Sequence, residues 1–278
     1  KLDANGARQW DRAYGGSGQD SLSAILQNAD GGFIMVGYSA STPGSGGGNR
    51  GSPRIASPQD AWVVRTDANG DKLWDVNCGV EEAMAIQATP DGGYIIGGDA
   101  SGVMWLTKLR ADGSKEWEQT HSGGNVMGIK GLRVATDGGY VFVGKYLLDG
   151  VGIKSDAAGN VQFQRTFGGD GADSLQQGGV DLAPDGGFFL AGISQSQAGT
   201  GNKTSPRYDS GSGDAWFIKV DSQLVKQTET TFGGSGEDVF SHVEHTSEGG
   251  FVASGHSGSP ADGNKTSPNY GGNDYWVI

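Results

Sequence analysis

The chain has 278 residues, and its 32 acidic against 20 basic side chains give a formal net charge of −12, with the basic residues scattered rather than gathered in a stripe. That balance excludes a nucleic-acid face or an anionic lipid surface as the natural partner, and no run approaches the roughly 18 apolar residues of a membrane helix, so no membrane insertion is expected. Only 35% of residues are hydrophobic while 52 are glycine, which points to short strands between many turns, and the single cysteine, Cys78, leaves no internal disulfide.

In chain order, residues 1–14 read as the end of one strand, an Asp3-Ala4-Asn5-Gly6 turn and a second strand carrying Trp10. Lys1 does not open a signal-peptide pattern, and the first residues already belong to a repeat, so a targeting segment is expected to be removed or to lie outside this sequence. The connection Tyr14-Gly15-Gly16-Ser17-Gly18-Gln19-Asp20 then leads to a strand at Ser23–Gln27, an Asp30-Gly31-Gly32 turn and a strand at Phe33–Gly37. After a long loop, Asp60-Ala61-Trp62-Val63-Val64-Arg65-Thr66-Asp67 alternates polar and apolar residues as a half-buried strand does. Asp67-Ala68-Asn69-Gly70 supplies the positive φ of a bulged hairpin and turns the chain into Lys72–Val76.

This unit recurs. Its marker appears as Asp91-Gly92-Gly93, Asp137-Gly138-Gly139, Asp185-Gly186-Gly187 and the variant Glu248-Gly249-Gly250, at spacings of about 46 to 63 residues. A period of that length made of strands and tight turns is the signature of a propeller blade. The repeats fall at about 1–64, 65–107, 108–153, 154–218 and 219–278, and Asp274–Ile278 begin a strand that residues 1–14 continue. The expected fold is all-β: a five-bladed β-propeller of four-stranded antiparallel blades, forming a single domain over 1–278. Pairing of the N- and C-terminal strands is expected to close it, which would remove an open sheet edge.

With the strands of each unit called A to D from the Gly-rich connection onward, strands A and B, near Ile25 and Ile34, read as the more apolar and as nearest the axis. Trp62, Trp105, Trp216 and Trp276 on C, with Trp10, Trp74 and Trp117 on D, are expected to pack between blades. Everything irregular collects at one end of the units. The D to A connections at 14–20, 167–173 and 232–238 share an aromatic-Gly-Gly-x-Gly-x-Asp pattern. Three B to C loops share Gly-Asn-basic-x-Ser-Pro, at Gly48–Pro53, Gly201–Pro206 and Gly263–Pro268, whereas those at Gly98–Val103 and Lys145–Asp149 are short.

Loops on a rigid scaffold are where binding resides. The ligand-contact candidates are Asn202, Lys203, Tyr208, Asn264, Lys265 and Tyr270, whose amides, ammonium groups and rings suit hydrogen bonding and stacking to sugars. Asp20, Asp173 and Asp238 are the candidate metal ligands, with calcium as the cofactor, because hard cations take oxygen donors. The competing reading is that these Asp residues only cap free backbone N–H groups in the turns. Asp67-x-Asn69-x-Asp71 resembles the opening of a calcium loop but lacks its glycine and terminal Glu. Asn202-Lys203-Thr204 and Asn264-Lys265-Thr266 have the form of glycosylation sequons. His242 and His245, three apart on a strand, face opposite sides and make a poor zinc pair.

Asp274-Tyr275-Trp276-Val277-Ile278, Tyr14-Gly15-Gly16-Ser17-Gly18-x-Asp20 and Gly263-Asn264-Lys265-Thr266-Ser267-Pro268 resemble the repeat propellers of secreted and surface proteins of Bacteroidota, many of which end in a type IX secretion sorting domain. The resemblance covers all five units. Asn77-Cys78-Gly79-Val80 and His121-Ser122-Gly123-Gly124 depart from its full connection, and the sequence contains no sorting domain. It implies export and a surface or adhesive role, with no catalytic residues to carry over. The expected function is therefore a non-enzymatic, extracellular or cell-surface binding module whose partner is a glycan or surface protein. One alternative is a structural spacer in a surface assembly. The other is a glycoside hydrolase, with Asp20, Asp173, Asp238 and Glu81 or Glu82 around an axial funnel.

Overall fold

The computed structural model describes residues 1–55, 58–79, 81–100, 102–121, 126–208 and 211–278. Val80 and Ser122–Gly124, parts of the two divergent connections, lie outside the described residues. Five antiparallel sheets follow the five repeats. The first holds β1 (Asp20–Gln27), β2 (Phe33–Ser39), β3 (Asp60–Thr66) and β4 (Lys72–Asn77). The second holds β5 (Glu82–Ala88), β6 (Tyr94–Ala100), β7 (Val103–Leu109) and β8 (Lys115–His121). The third holds β9 (Val126–Val134), β10 (Tyr140–Tyr146), β11 (Asp149–Ser155) and β12 (Val161–Phe167). The fourth holds β13 (Asp173–Leu182), β14 (Phe188–Ser194), β15 (Asp214–Val220) and β16 (Lys226–Phe232), and the fifth has three strands, β17 (Asp238–His245), β18 (Phe251–Ser257) and β19 (Asp274–Val277).

The expectation of four strands therefore holds in four sheets and not in the fifth. Among the described residues, β19 is laddered to β18, and residues 1–14 form the isolated bridge Leu2–Arg8 rather than a strand beside it. The chain packs as two compact units, Lys1–Thr120 and His121–Ile278.

Turn chemistry sets the hairpins. In the A to B turns the Asp carboxylate accepts the N–H of the second glycine, at 3.0 Å for Asp30 and Gly32 and 2.9 Å for Asp137 and Gly139. The cation on strand C reaches back to the same Asp: Lys108 to Asp91, Lys154 to Asp137 and Lys219 to Asp185, each at 2.8 Å, and Arg65 to Asp30. In the C to D turn of the first sheet, Asp67 Oδ1 accepts the N–H groups of Asn69 and Asp71 at 2.8 and 2.9 Å. That use of the side chain is a hairpin brace, not the opening of a cation loop.

The middle strands B and C are the buried ones, with β3 enclosed along its whole length, while β1 is an edge strand whose Leu22 and Ile25 face solvent. Position in the sheet outweighs composition, because an edge strand has a neighbour on one side only. In the first unit Ile34, Val36, Val63, Ile86, Ile96 and Trp105 form the core. In the second unit, Val141, Val143, Leu190, Trp216 and Ile218 form one cluster, and Phe189, Phe217, Phe240 and Trp276 belong to another.

Candidate functional site

Strand register places three polar residues in a row across the loop end of each long-loop sheet. Asp20 pairs with Ser39 and Ser39 with Asp60; Asp173, Ser194 and Asp214 repeat the row, as do Asp238, Ser257 and Asp274. The first Asp of each row closes its D to A connection. Gly16 N–H and Ser41 Oγ donate to Asp20 Oδ2 at 2.9 and 2.8 Å; Gly169 N–H and Ser196 Oγ donate to Asp173 Oδ2 at 3.1 and 2.6 Å; Gly234 N–H and Ser259 Oγ donate to Asp238 Oδ2 at 3.0 and 2.7 Å. The preceding glycines, Gly15, Gly168 and Gly233, have φ between +147° and +156°, and a Cβ there would lie 2.2 to 2.4 Å from that same carboxylate oxygen. Only glycine permits this close approach.

The basic residue of each long loop turns inward. Arg50 Nη2 lies 2.8 Å from Asp60 Oδ2, with both side chains fully enclosed, and Arg50 Nη1 donates to Ser39 Oγ at 2.9 Å and Ser41 O at 2.6 Å. Lys203 Nζ donates to Ser205 O, Ser205 Oγ and Thr231 Oγ1 at 2.7 to 2.8 Å, and Lys265 Nζ donates to Ser267 O at 2.6 Å. Burial lowers the pKa of the Lys203 ammonium, and Glu229, Asp173 and Asp214 oppose that shift. In the first loop the chain thus brings its own cation to a buried acid, and in the fourth repeat the charges of Asp173 and Asp214 reach Lys203.

Further braces hold the loops, one in all three and one in the first and fourth sheets. The Asn side chain buckles it to the D to A connection: Asn202 Oδ1 accepts Gly168 N–H at 3.1 Å while Nδ2 donates to Thr166 O at 2.7 Å, and Asn49 and Asn264 repeat the pattern. An acid on strand D caps the loop backbone. Asp75 Oδ2 accepts Gly51 N–H, Ser52 N–H and Trp62 Nε1–H at 2.8 to 3.0 Å, and Glu229 does the same for Ser205 N–H and Trp216 Nε1–H at 2.6 and 3.2 Å. Burial of Asp75 pushes its pKa up, but Lys72 and these donors outweigh it and bring it down to about 2.

The candidate residues separate accordingly. Lys203 and Lys265 are buried and engaged, and Asn202 and Asn264, though on exposed backbone, spend their amides on the buckle. Tyr208 and Tyr270 stand outward, at 37% and 86% exposure, each fixed by its backbone N–H donating at 2.6 Å to the second Asp of the row, Asp214 or Asp274. Ile55 holds the equivalent place on the first loop, with its N–H 3.2 Å from Asp60 Oδ2. Among the described residues, no three of His, Cys, Asp or Glu are grouped to hold a metal. Asp173 and Asp238 are fully buried.

Where the loop is short, the cation is missing. Asp149, which opens strand C of the third sheet, follows only Leu147-Leu148 after β10, with no inward-turned basic residue between the strands, and a Cβ on Gly168 would lie 2.5 Å from Asp149 Oδ1 and 2.4 Å from Asp173 Oδ2. Burial and the Asp173 charge raise the Asp149 pKa. At the other end of the inner strands, Asp181 binds Arg133 Nε and His245, backbone N–H and Nδ1, all at 2.8 Å. His242 and His245 lie in unbroken register on β17, three apart and so on opposite faces as expected; His245 meets Asp181, and a Cβ on Gly178 of β13 would lie 2.3 Å from His242 Nδ1.

The rows Asp20-Ser39-Asp60 and their counterparts went unread in the sequence, although a basic residue in the B to C loop accompanies an Asp at the start of strands A and C in the same three repeats.

No family model matches the chain, and no curated protein matches it. Among solved structures, the chain is similar to a Dos1 propeller, with 10% identity and a TM-score of 0.52 over 92% of this chain and 56% of that one. It is also similar to a luciferin-regenerating enzyme (14%, TM-score 0.48, 93% and 78%) and to Drosophila Plexin A in complex with Semaphorin 1b (10%, TM-score 0.48, 94% and 54%). The chain spans little more than half the length of the Dos1 chain. That likeness and the repeated four-stranded antiparallel sheets make this a fold of the β-propeller kind.

Proposed function

We propose that the chain is a non-enzymatic binding module of an extracellular or cell-surface protein, of the repeat-propeller type seen in secreted Bacteroidota proteins, and that its long-loop end contacts a glycan or surface protein. One observation carries this reading: Tyr208 and Tyr270 are exposed on loops whose Asn and Lys side chains are spent on internal bracing. A tyrosine on a held backbone has only two side-chain torsions to fix and so loses little entropy on binding. The reading does not call on calcium, because Arg50 pairs with Asp60 and the charges of Asp173 and Asp214 reach Lys203.

Binding of wild type and of a Tyr208→Ala/Tyr270→Ala variant to a glycan array and to intact bacterial cells tests the function. Loss of binding in the variant with unchanged circular dichroism is expected. Equal binding by the two proteins refutes the assignment to this end.

A further inference from the structure

We infer that the first unit carries a second site, a cavity at the turn end between the first and second sheets that accepts a neutral pyranose sugar. The cavity measures about 590 Å³, within the usual range for small-molecule pockets. Trp74, half-buried, supplies the aromatic wall and is backed by the buried ring of Tyr94, with centroids 6.5 Å apart and planes inclined at 61°. Leu73, largely exposed, extends the apolar surface.

The polar side of the cavity is incomplete. Tyr94 Oη–H donates to Asn28 Oδ1 at 2.9 Å, which fixes the amide, and Asn28 Nδ2 is then buried without an acceptor. A buried donor left in that state costs free energy, and a shift of the Asn28 side chain toward the cavity would let a ligand oxygen answer it. Arg65 and Asp30 also line the cavity but pair with one another, so neither an anion nor a cation is favoured there. The fitting ligand is uncharged, has an apolar face to lie on aromatic rings, and carries hydroxyl oxygens to accept from an amide. A pyranose has all three properties.

The equivalent place in the second unit shows what opens the cavity. There the volume is about 300 Å³, Phe163 stands in the position of Trp74, and buried Leu224 takes the turn position that Gly113 holds in the first unit. A Cβ on Gly113 would lie 2.9 Å from Trp74, so the glycine lets the indole seat against the turn.

Saturation-transfer NMR with methyl glucoside, galactoside, mannoside and N-acetylglucosaminide tests the site on the whole chain. Transfer to the ring C–H protons of at least one of them is expected. Asn28→Ala should weaken binding about tenfold, the effect of losing one hydrogen bond to an otherwise unpartnered donor. Ala111→Trp, at the exposed rim, should abolish it without touching the wall. Tyr270→Ala should leave it unchanged. Three results overturn the inference: no transfer for any of the four sugars, transfer that survives in both cavity variants, or transfer lost in Tyr270→Ala.

Discussion

Arg50 Nη2 and Asp60 Oδ2 face each other at 2.8 Å in the interior of the first sheet's loop end, both side chains shut off from water. The loop folds over this pair, and its remaining donors are answered by Ser39, Ser41 and Ser52. Replacing Arg50 by Met leaves Asp60 buried and unbalanced, which costs about 3 to 5 kcal/mol. Chemical denaturation should show that loss. Arg8→Met, which removes only the open Arg8–Asp11 contact at 3.6 Å, should change stability by less than about 1 kcal/mol.

Acid should loosen the same loop through Asp75. Its pKa falls from the ordinary 3.8 to about 2 in the folded chain, so its contribution is complete above pH 4 and is lost as the pH drops from about 4 to about 2. Melting curves across that window should show a steeper decline for wild type than for Asp75→Asn, which should start less stable at pH 7.

Asp149 behaves in the opposite sense. Its raised pKa means that the folded chain binds its proton more tightly, so the ionised carboxylate opposes folding at neutral pH. Asp149→Asn should therefore melt higher than wild type at pH 7. The advantage should vanish below about pH 4, where the group is protonated in both states.

Cys78 lies in the core of the first unit, and burial pushes its thiol up to about 12. A thiolate is the reactive form, so the native protein should resist Ellman's reagent at pH 8 while the unfolded chain reacts at once. A fast native reaction would show that the first unit opens readily.

Much of the fold was legible because its signals are local. Asp30-Gly31-Gly32 and Asp67-Ala68-Asn69-Gly70 state their turns within four residues, and their recurrence gives the sheet count. Which strands are buried was not legible, since Ile25 and Leu26 look as apolar as Ile34 and only pairing on one side or two separates β1 from β2. The loop motif was visible but its direction was not. A lysine in a polar loop reads as solvent-facing, and Lys203 turns inward because strands far apart in sequence set Asp173 and Asp214 where their charges reach it. Asn28 lacks an acceptor for a similar reason, its partner Tyr94 lying 66 residues away.

The claim that the long loops are rigid, internally braced platforms is tested most directly by native-state hydrogen exchange, read by NMR at the N–H groups of Gly168, Gly169, Gly233, Gly234, Tyr208 and Tyr270. Each donates to an Asn or Asp side chain at 3.1 Å or less. The account predicts exchange slowed well below that of an open loop, and faster exchange at Gly168 and Gly233 in Asn202→Ala and Asn264→Ala respectively. Exchange at unprotected rates in wild type would mean that the loops are not held, and the platform would be contradicted.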